Sequence, residues 1–392
     1  MVNNKNALVK KKILYIVTSL GTGGIMRSLQ NFLNQYDTGL YDVDVFAMVH
    51  QGLYKGELDN CNLLPCNRIL NASLARFEKQ HGWNRIASLL TKILNKVTKY
   101  RFQQSVFYIV SNNLSKRKHY DAVIAFSEGV PTAFVACMNH PNKIGWIHCD
   151  YDSYYQLNHK KTEKEIYHAL KSIVCVSNFT KTSFLHYFPE LVDRTYSVYN
   201  VLDAEMMKTK SVQSLDVPFD KNKFKIVSIG RIDPVKRLSV IPELARKVVD
   251  EDCDIQWYVI GPKGTNEEYN MLLQNIGKYE VRHVVSVLGE LSNPYPYIAN
   301  ADLLVNTSVS EACPYVINEA KILHTPIVCT DFGSAKEFVE NDVNGYSVPI
   351  EQVPQFIVSL IKDRAKLLRL KENLSHFRYD NETILQQIYD LI

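Results

Sequence analysis

Short apolar strands alternate with amphipathic helices in two successive runs, which predicts an α/β protein of two domains, each a parallel sheet covered by helices. Three observations carry that prediction. The alternation itself is one, a glycine-rich loop directly after the first strand is another, and the third is a mid-chain stretch without apolar periodicity, after which the alternation restarts. At 392 residues the chain is too long for one ordinary domain and comfortable for two.

Residues 13–19 open on a continuous apolar run, Ile13 to Val17, as expected of a parallel strand buried on both faces. Lys10, Lys11 and Lys12 before it imitate a secretory leader, but the run breaks at Thr18 and Ser19 without a small-residue cleavage site, so a first buried strand is expected. The loop Gly21-Thr22-Gly23-Gly24 follows, then a helical pattern over 25–36 and a second strand over 43–49. This is a Rossmann-type beginning. A dinucleotide site wants a third glycine and an acid after the second strand; this chain has Met26 or Arg27 and then Val49-His50. A nicotinamide-dependent oxidoreductase is therefore a distant reading, while a glycine loop that lets a backbone approach a substrate stays open.

The next region changes composition. Over 76–118 there are ten Lys and Arg (76, 79, 85, 92, 96, 99, 101, 116, 117 and 118) and one acid, Glu78. Leu89, Leu90, Ile93, Leu94 and Val97 repeat at helical spacing beside Lys92, Lys96 and Lys99. Such a pattern suits a basic amphipathic helix lying on an anionic membrane surface. It equally suits a helix that packs its apolar stripe on the core and turns its lysines to water. Strands are then expected over 122–126, ending at Ser127-Glu128-Gly129, and over 143–147, ending at His148. Two more are expected over 172–177 and over 196–201, with Asn200 at the end. Functional groups in open α/β sheets gather at the carboxyl ends of strands, which places Glu128 and His148 for work.

Residues 204–223 lose apolar periodicity and gather Lys, Ser, Asp and Pro218, the best candidate linker. The second run has strands over 224–229, 255–260, 284–288, 303–306 and 327–330, with helices over 239–249 and 267–276. An amphipathic helix closes the chain over 381–392. The expected domains are 1–205 and 206–375, with 376–392 a C-terminal helix packing back toward the N-terminal domain and a cleft between the two domains as the natural site.

Composition excludes several classes. A hydrophobic content of 46% with 22% charged residues is globular, and a net charge of +4 is too mild to imply nucleic acid. The eight cysteines show no CxxC pair and no zinc-like spacing, so reduced thiols and a cytoplasmic setting are expected. No run approaches the eighteen or so apolar residues of a membrane span.

The chemistry concentrates in the second half. Glu311 and Glu319 lie eight positions apart, the first in a turn after a strand and the second inside the following helix. Pro314 suits the first helical position, and amides around Cys313, Tyr315 and Val316 would then point out of a helix N-terminus that favours phosphate. Upstream, Gly230-Arg231 and Pro234-Val235-Lys236 leave the end of a strand. A guanidinium and an ammonium there can neutralise a departing diphosphate. Surface cations and a surface glutamate are the bland alternative, and the coincidence of both groups in one half weighs against it.

Several further motifs stand in order through the second half. They are Ser228-Ile229-Gly230-Arg231, Pro234-Val235-Lys236-Arg237-Leu238, Ile260-Gly261, Val287-Leu288-Gly289 and Ala301-Asp302-Leu303. Ser310-Glu311, Pro314, Glu319-Ala320, Thr325-Pro326-Ile327-Val328, Gly333, Glu337-Phe338-Val339 and Asn344-Gly345 follow. In these the chain resembles the GT-B glycosyltransferases of retaining family 4, the glycosyl transferases group 1. The first half is similar more loosely, through the early glycine loop, His148, Val176-Ser177 and Asn200.

The resemblance implies an N-terminal acceptor domain and a C-terminal nucleotide-sugar domain. It also implies transfer of a sugar from a nucleotide sugar, a UDP-sugar first, with retained anomeric configuration, no metal and no other cofactor. Arg231 and Lys236 would hold the diphosphate, Glu319 the ribose, and Glu311 the sugar with the 313–316 amides. His148 would sit beside the sugar, Gly23 and Gly24 would approach the phosphate, and the base would lie near Gly261 and Val287. The acceptor would be a glycan or lipid-linked glycan in surface polysaccharide assembly, at the inner face of a membrane reached through 76–118, with no nucleic acid involved. Ala312-Cys313 depart from the glycine usual after the first Glu. An epimerase of the same fold and a non-catalytic partner subunit are the competing readings.

Overall fold

The computed structural model describes residues 9–21, 23–49, 58–74, 82–98, 101–158 and 162–392. Thr22, His50, Arg76, Lys79 and Lys99, all singled out by the sequence, lie outside them. The chain divides into two compact units, one of residues 1–202 with 381–392 and the other of residues 203–380.

In the first unit the apolar runs become a parallel seven-stranded sheet. Its strands are β1 (Lys11–Ser19), β2 (Tyr41–Val49), β3 (Asn62–Leu63), β4 (Ala122–Ala125), β5 (Lys143–Ile147), β6 (Ser172–Cys175) and β7 (Thr195–Ser197), in the order β3-β2-β1-β4-β5-β6-β7. Ile13 to Val17 of β1 are at most 1% exposed, the burial expected of a central strand with helices on both faces. Asp44 breaks the apolar run of β2 and is nonetheless buried. It accepts from the Tyr120 hydroxyl at 2.6 Å, from Lys118 Nζ at 3.0 Å and from Asn62 Nδ2 at 3.2 Å. A buried carboxylate persists only with its charge and lone pairs satisfied, and those three groups do so.

The second unit is a parallel six-stranded sheet of β8 (Phe224–Ile229), β9 (Ile255–Ile260), β10 (Val285–Gly289), β11 (Leu303–Asn306), β12 (Ile327–Thr330) and β13 (Gly345–Val348), ordered β10-β9-β8-β11-β12-β13. Trp257 is fully buried in its core, and its indole N–H donates to Ser228 Oγ at 3.0 Å, which in turn donates to Val305 O at 2.6 Å. The sequence pattern missed the two-residue β3 and the edge strand β13. The expected linker also begins as a helix, Ala204–Ser211, capped by Asp203 and anchored by buried Met207.

The helix Asn381–Leu391 belongs to the first unit. Asn381 Oδ1 accepts from Leu202 N at 3.1 Å, Tyr389 stacks on Tyr41 with centroids 4.4 Å apart, and the Tyr389 hydroxyl accepts from Asp37 N at 2.9 Å. Ile384 and Ile388 are buried against the same unit.

Asp44→Ala strands the buried Tyr120 hydroxyl and leaves Lys118 paired with Asp42 alone, so a loss of about 1–3 kcal/mol is expected. It would be read as a lower urea midpoint with unchanged slope. Asp44→Asn keeps an acceptor for Tyr120 and is expected to lose less.

Candidate functional site

The second sheet reverses its strand order between β8 and β11: β9 and β10 are added on one side, β12 and β13 on the other. The carboxyl ends of β8 and β11 therefore lie at the point of strand-order reversal, the usual ligand position in doubly wound sheets. Both predicted charge groups leave those two ends.

After β8 the backbone runs beside the end of β9, with Gly230 N donating to Ile260 O at 2.9 Å and Ile232 N to Pro262 O at 3.0 Å. Gly261 makes the approach possible: it sits at φ 148, and a Cβ there would lie 1.9 Å from Gly230 O. Asp233, buried, then organises the turn. Its Oδ2 accepts from Arg231 Nε at 2.5 Å and its Oδ1 from Lys236 N at 3.0 Å. Arg231 is thereby pinned at Nε, and both Nη groups of its exposed guanidinium have no partner among the described residues.

After β11, Ser308 N donates to Asn306 Oδ1 at 3.0 Å. The two loops are tied together by Val309 N to Val235 O at 2.8 Å and by Thr307 Oγ1 to Lys236 O at 2.9 Å. This brings Lys236 Nζ onto Glu311 Oε1 as an ion pair. The same oxygen accepts from Ser308 Oγ at 2.7 Å and Asn306 Nδ2 at 3.5 Å. None of the three reaches Oε2. Ser334 Oγ donates to Glu311 O at 2.7 Å and fixes the backbone as well. A carboxylate held at one oxygen, with the other open, is oriented to accept from a hydroxyl.

The helix that follows is Tyr315–Ile322, and Pro314 is its cap, in an extended conformation (ψ 107), rather than its first residue. The difference shifts the expected boundary by one position and leaves the first-turn amides, including that of Val316, without intrahelical acceptors. Cys313 and Val316 are buried at that end. Glu319 is 1% exposed, which excludes an ordinary surface glutamate. Val287 lies on the edge strand β10, half-buried and paired with Val259, and Gly261 N donates to Gly289 O at 2.8 Å beside it. Arg231, Lys236, Glu311, Gly261 and the 313–316 turn thus share the carboxyl end of one sheet.

Asp233, Asn306, Ser308 and Ser334 were not singled out by sequence. The signal for two of them was there: an Asp three residues before Lys236 and a Ser three residues before Glu311 are side chains able to bond the nearby backbone or carboxylate.

The first unit has its own group at the carboxyl end of its sheet, where the strand order reverses between β1 and β4. Gly23, at φ 151, caps the helix Gly24–Gln35 after β1. Glu128 follows β4, and its Oε2 accepts from the backbone N–H of His148, after β5, at 2.9 Å. Burial raises the Glu128 carboxyl above its ordinary value, opposed by that amide bond. The His148 ring packs edge-on to Phe126 at 4.7 Å, its Nε2 is buried with no hydrogen-bond partner, and burial lowers its pKa to about 3.

Residues 211–377 match the family described as Glycosyl transferases group 1. Over 155 residues the chain is 29% identical to the N-acetylgalactosamine-N,N'-diacetylbacillosaminyl-diphospho-undecaprenol 4-alpha-N-acetylgalactosaminyltransferase of Campylobacter jejuni, covering 39% of this chain and 40% of that one. Over 268 residues it is 25% identical to the poly(ribitol-phosphate) alpha-N-acetylglucosaminyltransferase of Staphylococcus aureus, covering 64% and 51%. The chain therefore spans about two fifths to one half of the length of these relatives. Among solved structures, Anabaena HepE in complex with UDP and glucose matches with a TM-score of 0.69 at 19% identity, covering 97% of this chain and 98% of that one.

Gly261→Ala forces a Cβ into Gly230 O at a backbone angle that suits glycine, so a loss of about 3 kcal/mol or more is expected, seen as a lower melting temperature. His148 gives a pH signature. The folded state holds it neutral down to about 3 while the unfolded chain protonates it below 6.5, so it removes stability as pH falls from 6.5 toward 3. Across that window the unfolding midpoint of His148→Gln is expected to vary less steeply with pH than the native midpoint.

Proposed function

We propose that the chain transfers a sugar from a UDP-sugar to a glycan or lipid-linked glycan: residues 211–377 match the glycosyl transferases group 1 family, and its two parallel-sheet units have the GT-B fold. The single observation that carries the reading is the Lys236–Glu311 pair at the strand-order reversal of the second sheet, with Glu311 Oε2 open. Within this pair each charge neutralises the other. A diphosphate offers Lys236 a stronger anionic partner, and the exposed Nη groups of Arg231 add a second cation. Glu311, still held by Ser308 and Asn306, is then free to accept from a sugar hydroxyl. The first-turn amides of the helix Tyr315–Ile322 favour negative charge at the same end of the sheet. Glu319 is assigned to the ribose, and the Gly261 and Val287 edge to the base.

The transfer proceeds with retention and without a metal, the two cations and the helix end stabilising the leaving diphosphate. Neither Glu311 nor His148 is assigned as a nucleophile, which favours front-face substitution, with the leaving phosphate taking the acceptor's proton. His148, Gly23 and Gly24 are assigned to the same transfer. The named activities of the Campylobacter and Staphylococcus relatives, which act on a diphospho-undecaprenol-linked sugar and on poly(ribitol-phosphate), support an acceptor in surface polysaccharide assembly. A lipid-linked acceptor in turn supports a site of action at the inner face of a membrane.

A panel of UDP-, GDP- and ADP-sugars, read by thermal shift and slow donor hydrolysis, tests this. A response to a UDP-sugar that persists in EDTA is expected. Lys236→Ala and Arg231→Ala are each expected to lower turnover about 10²–10³-fold, or about 3–4 kcal/mol of transition-state stabilisation. Silence toward every donor sinks the proposal.

A further inference from the structure

The helix Gly82–Val97 is built inside out. Its buried positions are Ser88, Thr91 and Asn95, spaced three and four apart on the face that packs on the helices Arg68–Leu74 and Arg101–Arg117. Ser88 Oγ and Asn95 Oδ1 find no hydrogen-bond partner there. The opposite face carries Ile86, Leu89, Leu90, Ile93, Leu94 and Val97, between 44% and 75% exposed. An isolated exposed leucine means little, but six at helical spacing form a continuous apolar strip that water penalises. The alternative left open by the sequence, an apolar stripe packed on the core, is therefore overturned: the core side of this helix is polar.

The charges around the strip select what covers it. Arg85, Lys92 and Lys96 are exposed on the same helix, and no Asp or Glu occurs anywhere between Glu78 and Asp121. Two copies of such a surface brought face to face would oppose cations to cations. An anionic lipid headgroup layer over a hydrocarbon boundary complements both parts, with leucines below and long basic side chains reaching up to phosphate. Among the described residues no helix is long and apolar enough to cross a membrane, which fits a helix lying in the interface plane.

We propose that the helix Gly82–Val97 is a membrane-insertion element, which seats its Leu/Ile strip below the headgroups of an anionic bilayer and holds the first unit on that surface. This deepens, and rests on, the reading of a lipid-linked acceptor. It narrows the membrane-surface reading of 76–118 to this one helix and to apolar insertion assisted by charge.

The two contributions separate by salt, because screening weakens charge attraction and leaves apolar burial largely intact. Full-length protein is sedimented with vesicles of phosphatidylcholine, with and without phosphatidylglycerol, at about 0.1 and about 0.5 M salt. Binding to the anionic vesicles is expected, with a substantial fraction surviving high salt. Leu90→Gln with Ile93→Gln is expected to lower the partition about tenfold or more at both salts. Lys92→Gln with Lys96→Gln is expected to lower it chiefly at low salt. All four side chains are exposed, so melting temperature and donor-induced thermal shift should match the native protein. Absence of vesicle binding, or binding unaffected by Leu90→Gln with Ile93→Gln, overturns the proposal. So does a dimer in light scattering that the same pair of substitutions dissolves while vesicles go unbound. A protein that responds to a UDP-sugar yet ignores vesicles loses this inference alone; one that binds vesicles and no donor loses the transferase reading instead.

Discussion

The ion pair between Lys236 and Glu311 is the constraint around which the second unit is arranged. Two partly buried opposite charges are stable only while they face each other, and removing either leaves the other uncompensated. Meeting requires that two loops 75 residues apart leave adjacent strands on the same side of the sheet. That is what the strand order β9-β8-β11-β12 provides. The remaining bonds serve this meeting. Asp233 shapes one loop, Asn306 and Ser308 shape the other, and Thr307 and Val309 tie them together. Gly230 has the same purpose at smaller scale, since a Cβ there would press on Lys236 Cγ at 3.2 Å.

The first unit shows the opposite economy at its own strand ends. His148 and Glu128 are connected through the backbone amide, not through their titrating atoms, so burial governs both: the imidazole is kept neutral and the carboxyl is pushed toward protonation. Elsewhere in the unit a buried carboxylate, Asp44, is fully partnered. The helix Gly82–Val97 pairs a polar inward face with an apolar outward one.

Much of the architecture was legible because parallel strands covered on both faces need unbroken apolar runs. β1, β4, β6, β9, β11 and β12 each carry one, and β2 carries one after Asp44. β3 has two residues and no pattern to find, and β13, Gly345–Val348, opens on a glycine and holds Tyr346 and Ser347, which read as turn chemistry. The helix Ala204–Ser211 is lysine-rich and anchored by a single methionine, so its periodicity is absent from the sequence and supplied by packing. Of the site, Arg231, Lys236 and Glu311 were legible as charges in Gly- and Pro-shaped turns, whereas Asp233 and Ser308 carry no mark apart from their spacing.

By itself the sequence determined the alternation of strands and helices, the residue types at the ends of β8 and β11, and the family resemblance those residues carry. Each follows from local periodicity and turn chemistry, which act over a few residues. The tertiary structure alone decided that Lys236 meets Glu311 at Oε1 and leaves Oε2 open, that Glu319 is buried, and that the helix Gly82–Val97 turns its leucines outward. Helical spacing defines an apolar stripe but not the direction it faces. That direction is set by what the neighbouring helices Arg68–Leu74 and Arg101–Arg117 present, and no local pattern encodes it.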